Sequence, residues 1–229
     1  MRSSTKKLAN FGILTALSLI LGYVDRAIPI MNGMVPGIKL GLANTVLLYA
    51  VYLMDVKSCV LLMCAKVLLS GFLFGSMSAI IYSLAGGVLS LTIMLLVRKK
   101  PGTGALSAAV IAAAADIFLL IRTPRPQGQR LVIVILTALA CIAAIVVWIL
   151  IRKGKIRGIT GTSLAGAVSH NAGQILAASL MTQTPGLLVF YLPVLAGIGA
   201  AVGCLTGVIT ERVFKALRVK PIPDAEEKS

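Results

Sequence analysis

The side chains best equipped for chemistry lie where the chain is otherwise apolar. Residues 163–178 (SLAGAVSHNAGQILAA) hold the chain's one histidine, an asparagine and a glutamine. His170 and Gln174 are four apart, so on a helix they share one face. Imidazole and carboxamide groups bind by donating and accepting hydrogen bonds. Deep in an apolar segment they cost free energy until something satisfies them. Either a neighbouring helix supplies the partners or a ligand does. A metal site is disfavoured, because no second histidine exists to complete a ligand set.

Lys66 poses the same question more sharply. It falls midway along an apolar run, Leu-Met-Cys-Ala-Lys-Val-Leu-Leu-Ser, too deep for its ammonium to reach an interface comfortably. A lysine there needs a partner, a proton loss or a polar cavity. Asp116, the one acid well inside an expected span, is a candidate structural partner; a polar cavity is the other reading. Asn44, one turn into its own segment, and Lys39 at that segment's start add to the set. The candidate ligand-binding residues are therefore Lys39, Asn44, Lys66, His170, Asn171 and Gln174. With Lys39 and Lys66 both facing the cavity, it suits an anionic or carboxylate-bearing ligand.

The elements that must position these groups follow from composition. The chain has 229 residues, 58% hydrophobic and 13% charged, with a mean hydropathy of +0.98. Apolar runs of about 17 to 22 residues recur, the length that crosses a ~30 Å hydrocarbon layer as a helix. Period-2 alternation is absent, which argues against an outer-membrane barrel. The fold expected is all-α: a polytopic membrane helix bundle of about eight spans, near 8–24, 38–54, 58–75, 79–97, 104–121, 131–151, 160–182 and 187–210. The first run ends at Asp25-Arg26 with no small-x-small cleavage site, so it reads as an uncleaved span and not as a signal peptide.

A net charge of +15 raises the question of nucleic acid, but the basic residues sit in short clusters between apolar runs. That is a topology signal whose partners are anionic lipid headgroups. With both termini cytoplasmic, most of the 22 Lys and Arg fall inside, against Arg26, Lys39, Arg122, Arg125 and Arg130 outside. This is the asymmetry of a multi-pass protein of the bacterial cytoplasmic membrane. Gly199, Gly203 and Gly207, spaced by four, let another helix backbone approach closely, and Ala165, Ser169, Gly173 and Ala177 repeat the spacing. Gly12 and Ala16 do so on the first span, which is free of strong polar residues and is the best candidate for a docking face. Cys59, Cys64, Cys141 and Cys204 lie in apolar runs, form no CxxC pair, and read as small packers.

No catalytic set is present. The chain has no GxSxG elbow, Walker loop, HExxH or aspartate-rich DDxxD pair. A non-enzymatic protein that needs no cofactor is expected.

Four stretches in order carry a resemblance: Val35 to Asn44 (VPGIKLGLAN), Tyr82 to Ser90 (YSLAGGVLS), Ser163 to Gln174 and Tyr191-Leu-Pro193. Over about 1–100 and 158–217 the chain resembles the Gx transporter family, often labelled heptaprenyl diphosphate synthase component I. It is similar to the substrate-binding S components of energy-coupling factor (ECF) transporters. The resemblance implies a six-helix core (1–100 and 158–217); the chain departs from that pattern at 101–157, read as an inserted two-helix hairpin that puts the coupling surface in doubt, and ends in a charged cytoplasmic tail at 218–229. It implies uptake of a small molecule, such as a vitamin or cofactor precursor, bound from outside under a Pro/Gly loop acting as a lid. An ECF coupling subunit and ATPases would be the partners, docked through Gly12 and Ala16. The family label implies instead a noncatalytic membrane component of a prenyl diphosphate synthase. A membrane subunit of a quinone- or flavin-linked extracytosolic redox system is a third expectation.

Overall fold

A computed structural model describes residues 2–27, 42–98, 158–184 and 186–218, together with scattered positions between 134 and 153. Among the described residues the elements are all helices: α1 (Arg2–Ala27), α2 (Leu42–Leu53), α3 (Val56–Phe74), α4 (Met77–Val97), α5 (Ile159–Met181) and α6 (Gly186–Ala216). They fall where the apolar runs predict them. Four are long and apolar enough to cross a membrane, over Lys7–Asp25, Val56–Leu73, Met77–Val97 and Val194–Ala216. Leu61, Phe72, Leu96 and Val88 are exposed on outward faces, as a lipid-immersed bundle requires. The chain is a membrane protein.

Short polar residues set the breaks. Asp55 caps α3, its carboxylate accepting from the Ser58 backbone N–H at 3.2 Å and from the Ser58 hydroxyl at 2.9 Å. The Ser76 hydroxyl accepts from Ala79 N at 3.3 Å and caps α4. Both satisfy amides that have no partner inside their own helix. The guanidinium of Arg98, just past α4, donates to Val51 O at 2.7 Å and so satisfies a carbonyl in the last turn of α2.

The α3–α4 and α5–α6 turns share one end of the bundle, called the far end here. The near end carries the start of α1, the α2–α3 turn, the end of α4, the start of α5 and the end of α6. Phe214 marks it, stacked on Tyr49 (4.9 Å between ring centroids) and edge-on to Tyr52. Leu48, Val51, Cys59 and Leu62 close the core beside these rings. α5 lies between α4 and α6 along its length. It is absent from the four apolar candidates because its buried side includes Thr160, Thr162, Ser163 and Ser179. A helix rich in hydroxyls and carboxamides is the one packed between two others.

Glycine permits this burial. A Cβ on Gly203 would lie 2.8 Å from Leu164 Cα, one on Gly207 2.7 Å from Thr160 Cα, and one on Gly199 2.6 Å from the Asn171 amide nitrogen. The expected glycine ladder of α6 therefore packs on α5, within the bundle. Gly173 and Gly86 bring α5 and α4 equally close, since a Cβ on Gly173 would lie 2.9 Å from the Gly86 Cα.

Several expectations lie outside the described residues: Lys39, Asp116, the 29–37 loop, the whole 104–121 span, most of the 131–151 span, and the tail beyond residue 218. At the described positions between 134 and 152 the backbone is helical, with exposed Val134, Ile135, Ile142, Ile145 and Val146. The Arg152 guanidinium there sits over the Trp148 ring, 4.6 Å from its centroid.

Candidate functional site

Five helices, α1 to α5, contribute described residues to a common space. On α1 the stripe is Ser18, Gly22 and Asp25, at i, i+4 and i+7. On α3 it is Met63, Lys66, Val67 and Ser70, again one helical face. α2 supplies Ala43, Asn44 and Leu47, α4 supplies Ser83 and Gly87, and α5 supplies His170, Asn171 and Gln174. Together they enclose a cavity of about 80 Å³. At about 10–15 Å³ per water centre, that holds roughly half a dozen waters or one compact polar group.

Five of the six residues singled out from sequence thus line one cavity, although they come from three separate helices. The Lys66 ammonium donates to Asn44 Oδ1 at 2.7 Å, joining α3 to α2 across it. His170 lies against α4 because Gly86 has no side chain: a Cβ there would meet His170 O at 2.6 Å, Gln174 Cγ at 2.7 Å and His170 Nδ1 at 3.1 Å. Gly86 is therefore what seats the imidazole and the glutamine at the cavity wall, while Gly87 makes room for Met63.

Asn171 divides its role. Its amide donates to Leu195 O on α6 at 2.8 Å, the interhelical bond that was one of the two readings for this polar cluster. It lines the cavity as well, but its amide nitrogen is engaged in holding α6.

The cavity also holds groups that sequence reasoning passed over. Asp25 is buried, and its carboxylate accepts from the backbone N–H of Ala43, in the first turn of α2, at 3.4 Å. Read as the end of a span, it looked like a loop residue; α1 runs on to Ala27 and carries it inward. The available signal was the Ser18–Gly22–Asp25 spacing, a polar and small stripe on an apolar helix. Ser70 and Ser83 follow the same rule beside Lys66 and Gly87. The carboxylate alters the charge expected of the site. An anion-selective cavity rested on Lys39 beside Lys66, whereas the described lining sets one ammonium and one carboxylate around the same space. That lining suits a zwitterionic or strongly polar group as well as an anion.

Gly12 and Ala16 are exposed on α1, and a Cβ on Gly12 would meet nothing within 4 Å. Among the described residues no group of three His, Cys, Asp or Glu is placed to hold a metal ion.

A family described as Heptaprenyl diphosphate synthase component I matches residues 14–123 and 126–213. The matched stretches include most of 101–157, the segment expected to be an insertion. No curated protein and no solved structure matches the chain.

Proposed function

The chain belongs to the heptaprenyl diphosphate synthase component I family, and from that premise we propose that it is a noncatalytic, membrane-embedded binding protein for a small polar molecule, working in uptake as S components do. One observation carries the proposal: Asn44, Lys66, His170, Asn171 and Gln174 converge on one space in the far half of the bundle. A lysine, a carboxylate and an imidazole gathered at that depth cost free energy that a purely structural bundle has no reason to bear. Cation placement supports a direction of access. Among the described residues, Lys7, Lys57, Arg98, Arg212, Lys215 and Arg218 lie at the near end, against Arg26 at the far end. The near end is then cytoplasmic, and the site opens toward the outside of a bacterial cytoplasmic membrane. The open small-residue face of α1 at Gly12 and Ala16 is where a coupling subunit would dock.

The test is to purify the intact protein in mild detergent and identify retained small molecules by mass spectrometry, beside Lys66→Met and Gln174→Ala. One molecule held by the wild type and lost from both variants is expected. Equal retention by all three, or none by the wild type, overturns the reading.

The family's description favours a second reading, a membrane component serving a soluble prenyl-transferring subunit. It predicts that affinity capture recovers an Asp-rich soluble partner and that deletion shortens or abolishes the quinone side chain. Normal quinones in the deletion strain would sink it, and captured ATPase subunits would favour uptake.

A further inference from the structure

The polar chamber has a neighbour. A second cavity, of about 390 Å³, lies across Ser83 and Gln174, and those two residues line both spaces. It is built from the start of α4, the second half of α5 and the first turns of α6, under the two far-end turns. Ser76, Ser78 and Thr182 form an exposed rim, Tyr82 and Tyr191 are part-buried in the wall, and Leu195 is buried. Among the described residues no Lys, Arg, His, Asp or Glu lines it. Two of its wall residues, Tyr82 and Tyr191, open sequence stretches named above, and neither tyrosine lines the polar chamber.

The two spaces differ in what they can hold. The inner one has Lys66, Asp25 and His170 but is too small for a whole organic ligand, which needs about 300–1,000 Å³. The outer one reaches that range but offers only hydroxyls, one carboxamide and apolar or aromatic surface. Phenol rings present a flat apolar face with a polar tip, which suits an uncharged body and gives a charged group no counter-ion.

We infer that the ligand site is two chambers in series, filled at once by a small amphipathic molecule. Its compact charged or zwitterionic head lies in the inner chamber against Lys66 and Asp25. Its uncharged body lies in the outer one against Tyr82 and Tyr191. Ser83 and Gln174 are the neck between them. The inference rests on the binding reading above and adds the ligand class and the route of entry, past the α3–α4 and α5–α6 turns.

The route is tested without any ligand. Natural cysteines 59, 64, 141 and 204 are replaced by alanine in the full-length protein, Ser70→Cys is added as an inner-chamber reporter, and 2-aminoethyl methanethiosulfonate is applied in nanodiscs. Ala178→Trp, which fills the outer chamber, should slow labelling of the reporter at least tenfold. Gln174→Ala, which widens the neck, should speed it severalfold. If the cysteine-free background fails to fold, the natural cysteines stay and labelling at position 70 is read by peptide mass mapping. A reporter that labels at the same rate with Ala178→Trp overturns the route and leaves the binding reading intact, since no ligand enters the measurement. The ligand class is read from the molecule that the wild type retains. A charged head on an uncharged body, lost from Tyr191→Ala as well as from Lys66→Met, is expected. A molecule charged throughout, or one small enough for the inner chamber alone, overturns the division between the chambers.

Discussion

Two polar layers lie along α5, roughly two and a half turns apart, and they differ in what satisfies their polar groups. The near-end layer is made of hydroxyls. Tyr52 and Thr162 share a hydrogen bond of 2.8 Å, Ser163 and Thr206 one of 2.9 Å, and Ser90 donates to Gly166 O at 2.8 Å. Thr206 and Thr210 also donate to carbonyls four residues back in α6. Such groups are short, they satisfy themselves on backbone already present, and they leave the helices free to close to glycine distance. The far-half layer uses an ammonium, a carboxylate, an imidazole and three carboxamides, set around open space. Long and charged side chains have no such local remedy. A bundle that needed polarity only as glue could have used the first kind throughout.

The largest expected effect breaks the dry layer. Gly203→Leu forces a side chain onto α5 backbone at Leu164, and overpacking of this kind costs about 1–3 kcal/mol or more, a fall in Tm of roughly 5 °C or beyond. Loss of a monodisperse peak on size exclusion or a steep Tm drop is the readout. Gly12→Leu, on the open face of α1, should leave both unchanged. Equal damage from the two would mean that the α5–α6 contact is not what closes the bundle.

The second effect has the opposite pattern. Lys66→Met should abolish retention of the co-purifying molecule, about a hundredfold loss of affinity or some 2.7 kcal/mol. The ligand-free protein should stay monodisperse, unlike Gly203→Leu, but lose some thermal stability, because Met leaves Asn44 Oδ1 without its donor. Thr206→Val in the dry layer should weaken the fold by about 1 kcal/mol while leaving retention alone. A Lys66→Met protein that melts earlier yet binds normally would move Lys66 into the structural layer.

This contrast also sets what could be read from the chain. Helix positions followed from run lengths, and the bundle face of Gly199, Gly203 and Gly207 from spacing, because both depend on local sequence. His170, Gln174, Lys66 and Asn44 were legible as cavity residues for one reason: each is a polar group too costly to leave in lipid. Asp25 was not, since an acid at the end of an apolar run has a cheaper explanation as the start of a loop. Only the continuation of α1 to Ala27 shows otherwise. Asn171 could not be resolved from sequence at all. Whether its amide meets a ligand or Leu195 O depends on how closely α6 approaches, and Gly199 on another helix sets that approach. Ser83 and Tyr82 were visible in a motif, but nothing local distinguishes a wall shared by two cavities from an ordinary packed face.

Smaller again is the hydrogen bond between Tyr52 and Thr162. Tyr52→Phe should cost about 1 kcal/mol, and a double-mutant cycle with Thr162→Val should give a coupling of about 0.6 kcal/mol, typical of interhelical bonds in a membrane. Denaturant or thermal unfolding in one detergent measures it. A coupling near zero would show the hydroxyls satisfied by other partners once either is removed, and the dry layer would then owe its order to glycine packing alone.

The smallest effect lies outside both layers, at the α3 cap, and it bounds how far pH can be used to probe them. Hydrogen bonds from the Ser58 hydroxyl and backbone hold the Asp55 carboxyl below its ordinary value of 3.8. A carboxyl depressed in the folded state contributes stability that is fully present above its unfolded value and is lost as pH falls through the folded one. The Asp55 share should therefore be constant at neutral pH and fade only below about pH 4. Asp55→Asn, which keeps an acceptor for the cap, should flatten that acid limb while leaving neutral stability nearly unchanged. Any change in retention of the bound molecule between pH 5 and 8 must then come from the chamber itself, where the one histidine is the group whose ordinary range falls in that window. A change that persists in Asp55→Asn and disappears in His170→Gln would place it there. One that persists in His170→Gln would move the titration to Asp25, Lys66 or the ligand.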